Sequence, residues 1–330
     1  MRINKDRIPI IILTVIFVAV IFLTAAWINL PASQMRNGST QAVSACFNRV
    51  NITREDFHWL YVPESADQLY TEENFFFLAG QLIANKAVDA STCPSGGLIL
   101  NGYANACGMS IAKPTVIIIQ NMLNESILQA WKDVGVPPLL LKQLIRIESQ
   151  FWPSLYLTVE YGFGHITNIG MLNALLWNRD LYTRYCPAEA NGGCAMIESV
   201  AYRILSSLIS TCVTCTYGID PNSANHSVDI LAEVLLGYCY QTEQLIYNAT
   251  GWNPSLAVDY PTIWKLTLMN YNAGPECVFN TVVKAFKTTD GPVKWPDIVA
   301  HTSGEQCTRG VYYANNITAK YFNIGGSALP

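Results

Sequence analysis

Charge is what this sequence has least of. Only 13% of its 330 residues are Asp, Glu, Lys or Arg, about half the quarter usual in soluble domains. The net charge of −4 comes with no long basic run, which excludes a nucleic-acid binder working through a cationic surface. Sparse charge beside 51% hydrophobic residues, eight Trp and seventeen Tyr also excludes a disordered chain. No segment keeps the strict alternation of a half-buried strand, and no internal repeat is visible. The length suits one large domain or two smaller ones.

What the chain does have begins with a hydrophobic run. Arg2, Lys5 and Arg7, opposed only by Asp6, precede an uncharged segment from Ile8 to Ile28. Its only non-apolar residues are Pro9, Thr14 and Thr24. A spanning helix needs about 20 such residues, whereas the apolar stretch of a cleaved signal peptide is about 7–15 long. The reading is a cytoplasmic flank over 1–7 and a retained transmembrane anchor over 8–30. A linker follows over 31–60. The basic flank stays in the cytoplasm, so the rest is membrane-anchored and extracytoplasmic.

Ten cysteines all follow that run: Cys46, Cys93, Cys107, Cys186, Cys194, Cys212, Cys215, Cys239, Cys277 and Cys307. An even count on the exported side predicts disulfides. Cys212-Val213-Thr214-Cys215 lacks the second pair and the His partners of a zinc site, and the βαβ context of a thioredoxin-like motif. Structural disulfides are therefore expected here, and neither a zinc site nor a redox pair. Sequons stand at Asn37, Asn51, Asn124, Asn225, Asn248 and Asn316, and matter only in a glycosylating host.

Helical composition or periodicity is read at 75–88, at 115–131 with a stop near Gly135, after Pro137-Pro138, and at 195–211, 228–247 and 261–285. Residues 92–108, rich in Gly, Pro and Asn, read as a loop. The predicted fold class is mainly α with long disulfide-tied loops. It divides into an N-terminal helical extension over 61–137 and a second domain over 138–330.

The most informative segment is Pro138 to Pro153. On a helix, Leu141, Leu144, Ile145 and Glu148 share one stripe, while Lys142 and Arg146 fall on another face. A carboxyl continuing an apolar stripe is desolvated, which raises its pKa and suits it to general-acid work. A second segment, Tyr161 to Thr167 (YGFGHIT), is a glycine-spaced turn in which a backbone can approach a ligand closely. The third is Asn270 to Pro275 (NYNAGP), at the end of a helical run.

In this order the three segments resemble the lytic transglycosylase (SLT-type) domain of the lysozyme-like superfamily. Glu148, Ser149, Phe151 and Pro153 match its first motif, a helix ending in Glu-Ser. Gly162 to Thr167 match its second, with His165 where the family has Gln. Tyr271 to Pro275 match its third, Tyr-Asn-Ala-Gly-Pro. A final Tyr-containing helix is also usual, at 312–321 here. The resemblance covers about 139–325. The longer gap between the second and third motifs marks 180–227 as a Cys-rich insertion over the cleft.

The resemblance implies a lysozyme-like fold acting on peptidoglycan glycan strands. It implies cleavage of the β-1,4 bond between N-acetylmuramic acid and N-acetylglucosamine, with a 1,6-anhydro product and no cofactor. Glu148 is then general acid and afterwards base. Ser149 and Tyr271 orient the carboxyl and the sugar, and Gly164, His165, Ile166 and Asn272 line the cleft. A goose-lysozyme-like hydrolase is the alternative; it needs a second carboxylate to position water, for which Glu160, Glu189 and Glu198 are candidates. A non-catalytic glycan-binding protein is a third reading. Trp152 is the aromatic residue to test for sugar stacking.

Overall fold

The computed structural model describes residues 44–49, 57–153, 159–186, 196–289 and 291–319. The apolar run at 8–30 and its basic flank lie outside these residues. Among the described residues no helix is long and apolar enough to cross a membrane.

The elements begin with α1 (Phe76–Ala84), α2 (Ala106–Met122), α3 (Asn124–Val134) and α4 (Pro138–Ser149). A two-stranded antiparallel hairpin follows, β1 (Glu160–Tyr161) and β2 (Ile166–Thr167), with Glu160 opposite Thr167 and Tyr161 opposite Ile166. Then come α5 (Asn168–Trp177), α6 (Arg179–Tyr185), α7 (Ile197–Ser207) and α8 (Pro221–Thr250). The last are α9 (Pro254–Ala257), α10 (Tyr260–Ala273), α11 (Pro275–Phe286), α12 (Trp295–His301) and α13 (Glu305–Ile317). The protein is mainly helical, as its composition predicts.

The boundaries follow local chemistry. Asp220 caps the Ser223 amide at 2.9 Å and Pro221 opens α8. Asp259 does the same for Thr262 at the start of α10. The expected single helix at 115–131 is two, separated at Leu123, and the expected helix at 261–285 breaks at Gly274-Pro275. Gly135 ends α3 at the predicted stop.

The long helix α8 is the axis of the fold: α3, α5, α10 and α11 all pack on it. Its inner residues Val228, Leu231, Leu235 and Cys239 are fully buried. α13 lies along α10, and Gly310 makes the approach possible. A Cβ there would stand 2.7 Å from Ala273 Cβ and 3.1 Å from Met269 Cγ.

One contiguous core spans residues 45–317, so the extension at 61–137 and the domain after 138 are one body. The core also takes in part of the expected linker. Ala45, Cys46, Trp59 and Leu60 are buried, and Cys46 is joined to Cys239 in α8. Three more disulfides, Cys93–Cys107, Cys212–Cys215 and Cys277–Cys307, match the predicted cysteine chemistry. Cys186 is disulfide-bonded too, and no described cysteine is free.

Helix α4 departs from its amphipathic reading. Its first eight residues, Pro138 to Ile145, are all buried, so Lys142 does not lie on a solvated face. Its ammonium donates to Leu69 O at 2.5 Å, Asn124 Oδ1 at 2.7 Å and Asn121 Oδ1 at 3.1 Å. Three oxygens receive the buried amine, whose pKa burial pulls down to about 7 with the Glu73 charge opposing. The Asn124 side chain is thereby committed inside the fold. Arg146 forms two hydrogen bonds with Glu73, at 2.9 and 3.0 Å.

Candidate functional site

Glu148 stands in the last turn of α4, where the buried helix reaches the surface. Gln150 and Phe151 follow with positive φ, at 47° and 63°, turning the chain sharply so that the helix end is exposed at one point. The Glu148 side chain keeps 17% of its exposure. Its Oε1 accepts the hydroxyl of Tyr313 from α13. Burial pushes its pKa up to about 7, against the Tyr313 bond, which lowers it; the Glu160 charge raises it further.

The hairpin supplies the opposite wall. Phe163 is buried, and its amide donates to Ser227 Oγ at 3.4 Å. Tyr271 from α10 donates its hydroxyl to Gly164 O at 2.6 Å, and the Tyr238 ring meets Tyr271 edge-on at 5.1 Å. A Cβ on Gly164 would lie 2.3 Å from Leu231 Cδ1 and 3.1 Å from the Tyr271 oxygen. The glycine therefore makes room for protein neighbours, where the sequence reading gave that space to a ligand. His165 follows at φ 53°. Its Nδ1 is 3.6 Å from Glu148 Oε2 and 3.8 Å from Glu160 Oε2. Burial pushes its pKa down, with Glu160 opposing. Tyr271 and Tyr313 are both raised well above 10 by burial, so both remain hydroxyl donors at any ordinary pH.

This cluster joins residues from four separated stretches: Glu148, Glu160 with His165, Tyr271, and Tyr313. Other sequence candidates lie apart from it. Ser149 is 1% exposed and its hydroxyl donates to Ile145 O within its own helix at 3.0 Å; it has no hydrogen bond to the Glu148 carboxyl. Ile166 is buried in the hairpin, so its side chain faces the core. Asn272 is exposed near the end of α10 with no side-chain hydrogen bond among the described residues. Its neighbour Asn270 is the buried one, donating to Gln241 Oε1 at 2.9 Å and Thr242 Oγ1 at 3.2 Å.

Trp152 is 4% exposed and packed in the core, with no free face for a sugar. Glu198 is exposed in the first turn of α7, outside the cluster. Glu189 lies outside the described residues. The expected insertion packs through Val200, Ala201, Ile204 and Leu205, with α7 against α5 and Leu208 against the Gly162 turn. Among the described residues no group of His, Cys, Asp and Glu could hold a metal.

No family model, curated protein or solved structure matches this chain. The reading of the site therefore rests on its own geometry. Tyr313 is the residue that the sequence named only as part of a helix. A signal for it was present: Gly310, Ala314 and Ile317 form the buried stripe of α13 at i, i+4, i+7, and Tyr313 stands beside them at i+3.

The cluster can do acid–base chemistry. It holds a carboxyl that carries its proton near neutrality and a phenol that stabilises it after the proton leaves. A second carboxylate lies within 7.4 Å, the bound set by the two distances to His165 Nδ1.

Proposed function

We propose that the protein is a membrane-anchored, extracytoplasmic lytic transglycosylase of peptidoglycan, with a lysozyme-like fold and Glu148 as its general acid. The observation that carries this reading is the Glu148 carboxyl itself. Burial lifts its pKa to about 7, it opens to the surface at a helix end, and Tyr313 holds one of its oxygens. Such a group keeps its proton until a leaving oxygen can take it.

In the first step Glu148 protonates the glycosidic oxygen and the bond to C1 of the muramoyl sugar breaks. Positive charge develops on that sugar, and the new carboxylate faces it. In the second step the carboxylate takes the proton of the C6 hydroxyl as its oxygen attacks C1, closing the 1,6-anhydro ring. Glu148 ends protonated and no water is consumed. Tyr313 donates to the carboxylate while it is ionised. Tyr271 acts one layer back by holding the hairpin at Gly164.

A hydrolytic muramidase is the second reading, and Glu160 favours it. Two-carboxylate glycosidases use the second group to activate water or to attack C1, and Glu160 shares with Glu148 the neighbourhood of the His165 ring, whereas Glu198 lies apart. The test is the full-length oxidised protein incubated with purified peptidoglycan beside Glu148→Gln, with products weighed by mass spectrometry. Muropeptides lighter by one water than hydrolytic ones, absent with the variant, are the expected result. Reducing-end products move the assignment to the muramidase. Intact glycan that still binds the folded protein overturns both.

A further inference from the structure

The hairpin turn is more constrained than a wall of the site requires. His165 sits in the left-handed region, which glycine enters freely and an L side chain enters at a cost. The carbonyl before it is held by Tyr271, and the residue after it pairs with Tyr161 in the β-ladder. The strained residue is thus gripped from both sides. What the grip secures is the position of one ring nitrogen, within ion-pair reach of two carboxylates.

We propose that Glu160 and His165 are positioning residues for the proton of Glu148: Glu160 carries the charge that opposes ionisation of Glu148, and the imidazole, set within 4 Å of both carboxylates, supports Glu148 once the proton has left. This rests on the reading of Glu148 as the general acid. Two carboxylates that both lie within 4 Å of one ring nitrogen oppose each other's ionisation. The proton settles on the better-buried one, and Glu148 is 17% exposed against 44% for Glu160. Among the described residues, the groups facing Glu148 are Tyr313 from α13, Tyr271 from α10, and His165 and Glu160 from the hairpin. The two phenols stay neutral, and Glu160 is the carboxylate acting on Glu148. A neutral imidazole with its hydrogen on Nδ1 can serve either carboxylate, and so can follow the charge as Glu148 gives up its proton and regains it.

The experiment uses the full-length protein in detergent, labelled with 13C at the glutamate carboxyls, as wild type, Glu160→Gln, His165→Gly and His165→Gln. Carboxyl titrations by NMR are run beside glycan release from peptidoglycan over the same pH range. In Glu160→Gln the Glu148 midpoint falls by about half to one pH unit, and the alkaline limb of cleavage falls with it. His165→Gly keeps or raises Tm, because glycine suits the backbone, yet loses about tenfold or more in rate. His165→Gln, which keeps an N–H donor, recovers part of that loss. A Glu148 midpoint unmoved in Glu160→Gln overturns the proposal. So does a His165→Gly protein of lowered Tm and undiminished rate, the outcome of a purely structural histidine. If the wild type cleaves no glycan, the NMR midpoints still judge the pair, and the failure belongs to the reading of function.

Discussion

Replacing Tyr313 by Phe removes one hydroxyl and keeps the ring that packs beside α4. That hydroxyl donates to Glu148 Oε1 and holds down a pKa that burial lifts to about 7. A hydrogen bond to a charged acceptor contributes about 1.5–3 kcal/mol, and 1.36 kcal/mol corresponds to one pH unit. The bond favours the ionised carboxylate, so its loss raises the midpoint. Because a general acid works only while protonated, the alkaline limb of glycan cleavage moves upward by about 1–2 pH units. Glu160→Gln moves the same limb downward, so the two variants bracket the wild type. The assay is the rate of muropeptide release from purified peptidoglycan between pH 4 and about 9, a range that spans the titration of the acid. A limb that stays in place, or moves down, in a Tyr313→Phe protein of unchanged Tm refutes the assignment of this bond to the acid.

Two further predictions concern stability. Glu148 has a folded pKa of about 7 against 4.5 for a free glutamate side chain, so its burial costs nothing below the unfolded value and progressively more as pH rises from there to about 7. Glu148→Gln removes that cost: denaturant unfolding gives equal stability at low pH and a gain of about 2–3 kcal/mol for the variant at pH 8, and a gain independent of pH contradicts the desolvation account. Lys142→Met fills the same space but strips two oxygens, Leu69 O and Asn124 Oδ1, of their Lys142 donor, while Asn121 Oδ1 keeps the Thr71 amide at 2.9 Å. It lowers stability by about 2–4 kcal/mol in the same measurement; a stabilised variant means the oxygens found other donors.

Much of the architecture was legible in the chain because it is locally encoded. Pro137-Pro138 and Gly135 act on the backbone within a turn of themselves, so they mark helix ends without reference to the rest of the fold. The even cysteine count likewise announced disulfides, but not that Cys46 would reach across 193 residues to Cys239, since pairing depends on which helices meet. The same limit explains Lys142. Its spacing placed it on a polar face, yet the oxygens that satisfy it come from residues 69, 121 and 124, which no periodicity within α4 can foresee.

The candidate site divides along the same line. Glu148 could be singled out from residue types alone, because an acid that prolongs an apolar stripe is a local anomaly. The glycines of the turn were also visible, but what fills the space beside them is Leu231 and Tyr271, decided by how α8 and α10 pack. Ser149 and Trp152 sit next to the acid in sequence and turn inward, since one helix end exposes only one direction. Tyr313, 165 residues from Glu148, reaches it because Gly310 lets α13 close on α10. The sequence by itself determined which group could carry the proton. Only the tertiary structure decided what surrounds it, because desolvation and neighbouring charge belong to the packed environment and not to any one residue.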